Sequence, residues 1–369
     1  MIETGRQEDY GEMAATLADG ARRLVADQAD PRRVRALRRT LPGYDCKIAG
    51  TFAELGWFGI LIPEEAGGSG LGLPEMAAVL RELEKGLISE PLLHRAVLAA
   101  RLLLWCGATE HLAGLAAGHF RPALALDFDE GLPEVSAVSA ERGWRLTGRC
   151  MAVPGGADAS HFLVPAKTPD GRRLFLAPAD ASGLELTTMW RADDTPLGML
   201  TLTGADLPQS SALTPPGVLE RALARAWDET RIAASACLLG LSEKMLDMTV
   251  DYMGIRKQYD QLIGSFQALQ HKAVDLYIEK ERAAAVLGHA LAAAADPDRL
   301  PLAALRAKGR CSEAATLIAR EAIQLHGAIG YTEEHDLGLF MKRAMTLSAW
   351  LGNAGEQRRR FVDMGLALQ

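Results

Sequence analysis

From Leu219 to Met253 apolar residues return at three- and four-residue spacing, a run long enough for one helix. Two more such segments follow, Gln267 to Ala295 and Pro301 to Leu325. Helices this long, with stripes of Ala and Leu, bury those stripes most readily against one another. The pattern predicts a C-terminal antiparallel four-helix bundle.

The rest of the chain has two other textures. From Gln7 to Ala117 it is rich in Ala, Leu, Arg and Glu with helical periodicity, clearest in Met76-Ala-Ala-Val-Leu-Arg-Glu-Leu-Glu84. A glycine-rich loop, Pro63-Glu-Glu-Ala-Gly-Gly-Ser-Gly-Leu71, interrupts it. From Phe120 to Leu213 short apolar runs such as His161-Phe-Leu-Val164 and Leu174-Phe-Leu176 alternate with turn residues, which reads as a small antiparallel β domain. Thr214-Pro-Pro-Gly217 ends it. The expected fold class is therefore α+β, with an N-terminal helical domain (1–119), a middle antiparallel β domain (120–215) and the C-terminal bundle (216–369).

Composition excludes several functions. A net charge of -7 and a pI near 5.7 give no support to non-specific nucleic-acid binding. No apolar run approaches the roughly 20 residues of a membrane helix, and the polar, acidic start does not resemble a signal peptide. Cys46, Cys106, Cys150, Cys237 and Cys311 lie far apart and form no Cys-x-x-Cys pair, and the histidines lack ligand spacing. No metal site, buried free thiols and a cytoplasmic setting are the expectation.

The strongest local motif is Arg256-Lys-Gln-Tyr-Asp-Gln-Leu-Ile-Gly-Ser-Phe-Gln267. On spacing alone Arg256 reads equally as a surface charge and Gln267 as a solvated helix start. A second motif, Gln324-Leu-His-Gly-Ala-Ile-Gly-Tyr331, ends a helical run and on its own reads as a helix C-cap and turn. Together they resemble the acyl-CoA dehydrogenase family. Its members carry Arg, two residues, Phe-Gly, then Ile-x-x-Phe-Gln, and later Gln, two residues, Gly-Gly-x-Gly-Tyr. Ile263, Phe266, Gln324, Gly327 and Gly330 fit the pattern; Tyr259-Asp260 and Ala328 depart from it. The Pro63–Leu71 loop, Gly143-Trp-Arg-Leu-Thr-Gly148 and Asp228-Glu-Thr-Arg231, which looks like the start of the first long bundle helix, extend the resemblance over nearly the whole chain.

The resemblance implies FAD as cofactor, an acyl-CoA substrate, an electron-transferring flavoprotein as electron acceptor and a dimeric or tetrameric assembly. It implies that Arg256 and Gln267, with Phe266, Gln324, Gly327 and Gly330, serve the FAD of a neighbouring subunit. A guanidinium that forks onto phosphate oxygens suits the first of these. Abstracting the weakly acidic α-proton of a thioester needs a positioned base, and here both usual places for it are altered. In Trp350-Leu-Gly-Asn-Ala-Gly-Glu-Gln-Arg358 the base position is Leu351; the alternative position, just before Arg231, is Thr230. Two flavin-facing segments also depart, at Ala123–Gly131 and Met151–Gly155. This combination resembles the base-less subunit of α2β2 acyl-CoA dehydrogenases, which acts with a homologous catalytic subunit. Two alternatives stand beside it: a catalytic homotetramer using Glu229, Glu334 or His335 as base, and a structural acyl-CoA-binding member without redox activity.

Overall fold

The computed structural model describes residues 11–128 and 131–367. Asp129, Glu130 and the stretch from Gln7 to Tyr10 lie outside the described residues.

Six helices open the chain: α1 (Glu12–Gln28), α2 (Pro31–Leu37), α3 (Cys46–Glu54), α4 (Leu73–Lys85), α5 (Ala100–Cys106) and α6 (Leu112–Ala116). Their starts are written locally. The Asp30 carboxylate accepts the Arg32 amide at 2.8 Å ahead of Pro31, and Asp45 does the same for Lys47. A π-helical turn, Leu93–Ala99, runs directly into α5.

Seven strands follow: β1 (Pro122–Leu124), β2 (Val135–Ala140), β3 (Gly143–Pro154), β4 (His161–Thr168), β5 (Gly171–Pro178), β6 (Leu184–Trp190) and β7 (Pro196–Pro208). They form one sheet in the order β1-β4-β2-β3-β7-β6, with β5 on β4. The β2–β3, β3–β7, β6–β7 and β4–β5 pairs are antiparallel, whereas β1 and β2 each meet β4 in parallel. Alternation of apolar and polar residues reads the hairpins but carries no sign of strand direction, so the parallel contacts were not visible in the sequence.

The C-terminal section contains α7 (Leu219–Ile255), a short hairpin of β8 (Lys257–Gln258) and β9 (Gln261–Leu262), then α8 (Gln267–Ala293), α9 (Leu300–His326), α10 (Leu337–Ala349) and α11 (Ala354–Ala367). The helix α7 begins nine residues before Asp228, so Asp228–Arg231 lies inside it rather than at its start. Every residue from Asp228 to Ser242 is buried. A helix enclosed on all sides is the centre of the molecule, and α4, α8, α9 and α10 pack around it. At Gly240 a Cβ would lie 2.1 Å from the Arg81 carbonyl, so only glycine lets α4 and α7 come this close. Four cysteines are buried and none of the five is in a disulfide, but Cys46 is exposed, against the expectation of five buried thiols.

Among the ion pairs that link the first and last sections, that of Arg343 is deeply buried on both sides. Arg343 on α10 donates to Glu84 on α4 at 2.6 Å, and to Asp193, in the β6–β7 turn, at 3.4 Å. Removing one member of a buried pair strands the other charge in a medium that solvates it poorly. Glu84→Ala should therefore lower unfolding stability by about 3–5 kcal/mol. Urea titration checks this; a loss within ±0.5 kcal/mol would mean Arg343 finds another partner.

Candidate functional site

Two separate places collect the residues marked in the sequence. The first is one end of the bundle. There α7 stops, the β8–β9 hairpin turns through Tyr259 and Asp260, both in the left-handed region (φ 52° and 60°), and α8 begins at Gln267. Such a turn favours Asn or Gly, which explains why Tyr259-Asp260 looked like a departure. The end of α9 joins them: Tyr252 stacks on His326 at 4.5 Å, and Lys272 pairs with Glu321 at 2.8 Å. Arg256, Gln267, Gln324 and Gly327 are thus brought together, all four exposed. Phe266 is half-buried with its ring edge-on to Tyr259, and Gly330 is buried under Ile323 and His326.

This end suits an anionic, extended ligand. Arg256 has no carboxylate within ion-pair distance among the described residues. Phe266 caps α8 without a side-chain hydrogen bond, so the first amides of the helix remain available beside it. Gly327 takes φ 68°, and a Cβ there would meet nothing within 4 Å, so the main chain is bare toward open space.

The second place is a cavity of about 420 Å³ between the sheet and α10. Its walls come from four segments: Leu126–Phe128; Ala152 and Pro154; Arg191, Ala192 and Leu197; and Met345, Thr346, Ala349, Trp350 and Leu351. Leu351 and both segments flagged as departures therefore share one space. Among the described residues, Asp127 and Arg191 are the charged ones lining it. The Asp127 carboxylate accepts the Met151 amide at 3.2 Å.

The turn that carries Leu351 is held by its main chain. Leu351 itself has φ 60° and Gly352 φ 86°. Fully buried Lys308 donates to the carbonyls of Ser348 (3.1 Å) and Gly352 (3.2 Å), and the Gln357 amide donates to those of Leu351 and Gly352. Neither Lys308 nor Gln357 stood out in the sequence as a clamp.

The substitute base candidates lie elsewhere. Glu229 is buried and accepts from Arg101 at 2.7 and 2.9 Å and from the Trp105 indole at 3.1 Å. Thr230 spends its hydroxyl on the Ala226 carbonyl at 2.6 Å. Glu334 is exposed, and His335 sits edge-on to His326 at 4.7 Å. Its neighbours Glu333 and Asp336 are not merely solvated: they pair with Arg38 and Arg35 of the N-terminal section, both at 2.7 Å. Among the described residues no three His, Cys, Asp or Glu side chains converge as metal ligands, and no helix is long and apolar enough to cross a membrane.

A bundle centred on one enclosed helix, a sheet laid against it and a cavity at their junction are the frame of an acyl-CoA dehydrogenase, and comparison with known proteins agrees. A family model described as acyl-CoA dehydrogenase, C-terminal domain, matches residues 220–365; one described as acyl-CoA dehydrogenase, N-terminal domain, matches residues 12–113. The acyl-CoA dehydrogenase IpdE2 of Mycolicibacterium smegmatis is 32% identical, over 91% of this chain and 94% of its own. Among solved structures, a variant of the Tcur3481–Tcur3483 steroid ACAD superposes with a TM-score of 0.87 at 32% identity, covering 97% of this chain and 99% of that one. The ChsE4–ChsE5 complex from Mycobacterium tuberculosis gives 0.88 at 29% identity, covering 98% and 99%. The chain belongs to the acyl-CoA dehydrogenase family.

Sequence reading missed His94, which packs against Trp350 of the cavity wall. The rings meet edge-on at 4.6 Å, and the enclosed Nδ1 has no hydrogen-bond partner. Desolvation, then the charges of Arg191, Arg343 and Arg95, hold its pKa well below the ordinary 6.5. In the unfolded chain the histidine takes up its proton near 6.5, while the folded chain keeps it neutral. The stabilising contribution is complete above that value and is lost as pH falls below it. Unfolding stability measured from pH 7.5 to 5 should decline, and His94→Leu should flatten the decline. An equal slope in both proteins would place the titrating group elsewhere.

Proposed function

We propose that this chain is an FAD-dependent acyl-CoA dehydrogenase subunit that has lost its base and works beside a homologous catalytic chain. The observation that carries the reading is Leu351, buried at the cavity wall on a turn whose main chain is clamped by Lys308 and Gln357. A leucine has no site for a proton. Of the alternatives, Glu229 is committed to Arg101 and Trp105, and Glu334 and His335 are absent from the cavity lining. The relatives point the same way, since two of the similar structures, Tcur3481–Tcur3483 and ChsE4–ChsE5, each join two different chains. One of them is described as a steroid ACAD, which favours a bulky acyl-CoA as substrate here.

FAD, the cofactor of the family, supplies the hydride-accepting ring when bound. The residues of this chain that fit it are those at the bundle end. Arg256 presents an unpaired guanidinium suited to a pyrophosphate, with the α8 amides beside Gln267 adding donors. Gln324, Gly327 and Gly330 offer a main-chain surface for the adenosine half. In this reading the FAD so held belongs to a neighbouring subunit, because the cavity beside Leu351 lies on another part of the chain. Apolar residues left open near this end support such an assembly: Val250, Ile255, Val274, Tyr277 and Ile278 are all more than 40% exposed. In the cavity, the chain's part is to exclude water and shape the space, not to move a proton. Electrons would pass on to an electron-transferring flavoprotein.

The purified chain alone should show no acyl-CoA dehydrogenation by dye reduction. Absence of a general base typically costs about 10²–10⁴-fold. Co-expression with a homologous chain that retains the base should give an active complex, and Leu351→Glu in the lone chain should restore only a small part. Robust turnover by the unmodified chain would overturn the proposal. Asp127, the one carboxylate among the described residues of the cavity wall, would then be the residue to replace.

In the assembled complex, Arg256→Ala should weaken FAD retention about tenfold or more, the size of one lost charge-assisted phosphate contact. Flavin absorbance after dialysis measures it. Equal retention would make Arg256 an ordinary surface charge.

A further inference from the structure

The connection from α9 to α10, residues 327–336, has little of its own to hold it. Residues 327–329 and 331–334 are exposed, and Gly330 alone is buried. Its own hydrogen bonds are short in range: the Thr332 amide and hydroxyl donate to the Ile329 carbonyl at 3.1 and 3.0 Å, and the Leu337 amide donates to His335 Nδ1 at 3.2 Å. Such bonds shape turns without fastening them to the rest of the molecule. A segment with so few buried apolar groups opens readily unless something outside restrains it.

The restraint comes from α2, some 300 positions earlier in the chain. Arg35 donates to the Asp336 carboxylate at 2.7 Å and to the Glu333 carbonyl at 2.8 Å. Arg38 reaches the Glu333 carboxylate at 2.7 Å through Nη1, while its Nε and Nη2 rest on one Asp194 oxygen at 2.7 and 2.6 Å. Asp194 thus turns the free edge of this guanidinium toward Glu333. The helix α2 is itself anchored inward, by Arg33 on nearly enclosed Glu90 at 2.6 Å. Lys342 adds a third cation, 3.0 Å from Glu333. Hydrogen bonds from Arg38, then from Lys342, hold the Glu333 carboxyl below its ordinary range, so it is ionised at neutral pH.

We propose that Arg35 and Arg38 are positioning residues for the dinucleotide end: they hold the α9–α10 connection in the shape that presents Gly327 and Gly330, and touch no ligand themselves. This rests on the reading that FAD is held there, and goes beyond it by giving the N-terminal section a part in cofactor binding. Exposed ion pairs contribute little to global stability. When a connection loses several of them, its binding-competent shape is populated only part of the time, and apparent affinity falls by that fraction. Affinity and stability should therefore separate, which a merely structural role would not produce.

The test combines thermal melting and amide hydrogen exchange of the full chain with FAD titration, by flavin fluorescence, of the co-expressed complex. With Arg35→Gln and Arg38→Gln together, exchange across residues 327–336 should rise about tenfold, and FAD affinity should fall about three- to tenfold. Tm should stay within about 2 °C. Arg38→Lys should recover part of the affinity, and the effects of Arg38→Gln and Glu333→Gln should combine to less than their product. Should the double arginine variant fail to fold, the single variants carry the comparison. The exchange readout stands without FAD, and unchanged exchange overturns the proposal by itself. So do unchanged FAD affinity in a folded variant, a loss of affinity matched by a large fall in Tm, or effects that multiply in full. Arg256→Ala separates the two readings: if it weakens FAD binding and the α2 variants do not, only the positioning role falls; if none of them does, both fall.

Discussion

The buried guanidinium of Arg343 ties the three sections of this chain together, and Arg38 does so again nearer the surface. Arg343 projects from α10, reaches Glu84 on α4 and touches Asp193 in the turn between β6 and β7. Apolar packing between helices tolerates small slides, because dispersion has little directional preference. A buried charge does not, since its attraction must offset its own desolvation and therefore requires close, well-aligned oxygens. The cavity depends on this alignment, because Arg191 stands two residues before Asp193 and Thr346 three residues after Arg343. The same contacts therefore set where Arg191 and Thr346 stand on the cavity wall.

The long helices were legible because length and periodicity are local properties. The expected Gln267 to Ala295 and Pro301 to Leu325 became Gln267–Ala293 and Leu300–His326, differences of one or two residues at fraying ends. Strand direction was not legible, and β1 and β2 meet β4 in parallel. The start of α7 was legible, since periodicity put it at Leu219, whereas Asp228–Arg231, which looked like a beginning, is the first turn of its enclosed stretch.

The sites divide in the same way. The motif at the bundle end was readable because its members fall in two short runs, and only the stacking of Tyr252 on His326 was needed to join them. The cavity was half readable. Leu351 and the two altered segments were visible as departures from a pattern, yet Arg191, Thr346 and His94 were not. His94 and Thr346 stand out through a hydrogen bond that each lacks, and absence of a partner is a property of three-dimensional neighbours alone. Glu229 shows the converse. A glutamate one residue from a functional position looks available until Arg101 and Trp105, more than 120 positions earlier in the chain, are seen to hold it.

The turn at Leu351 is fastened through carbonyl oxygens, which every amino acid carries. Lys308 and Gln357 therefore grip the path of the chain and are blind to the side chain mounted on it. Shape and chemistry at this point are inherited separately. One can be replaced by a single codon while the other persists. A lineage built this way can shed a reactive group without dismantling the mount, and a duplicated copy has a short route to a new task within the same assembly.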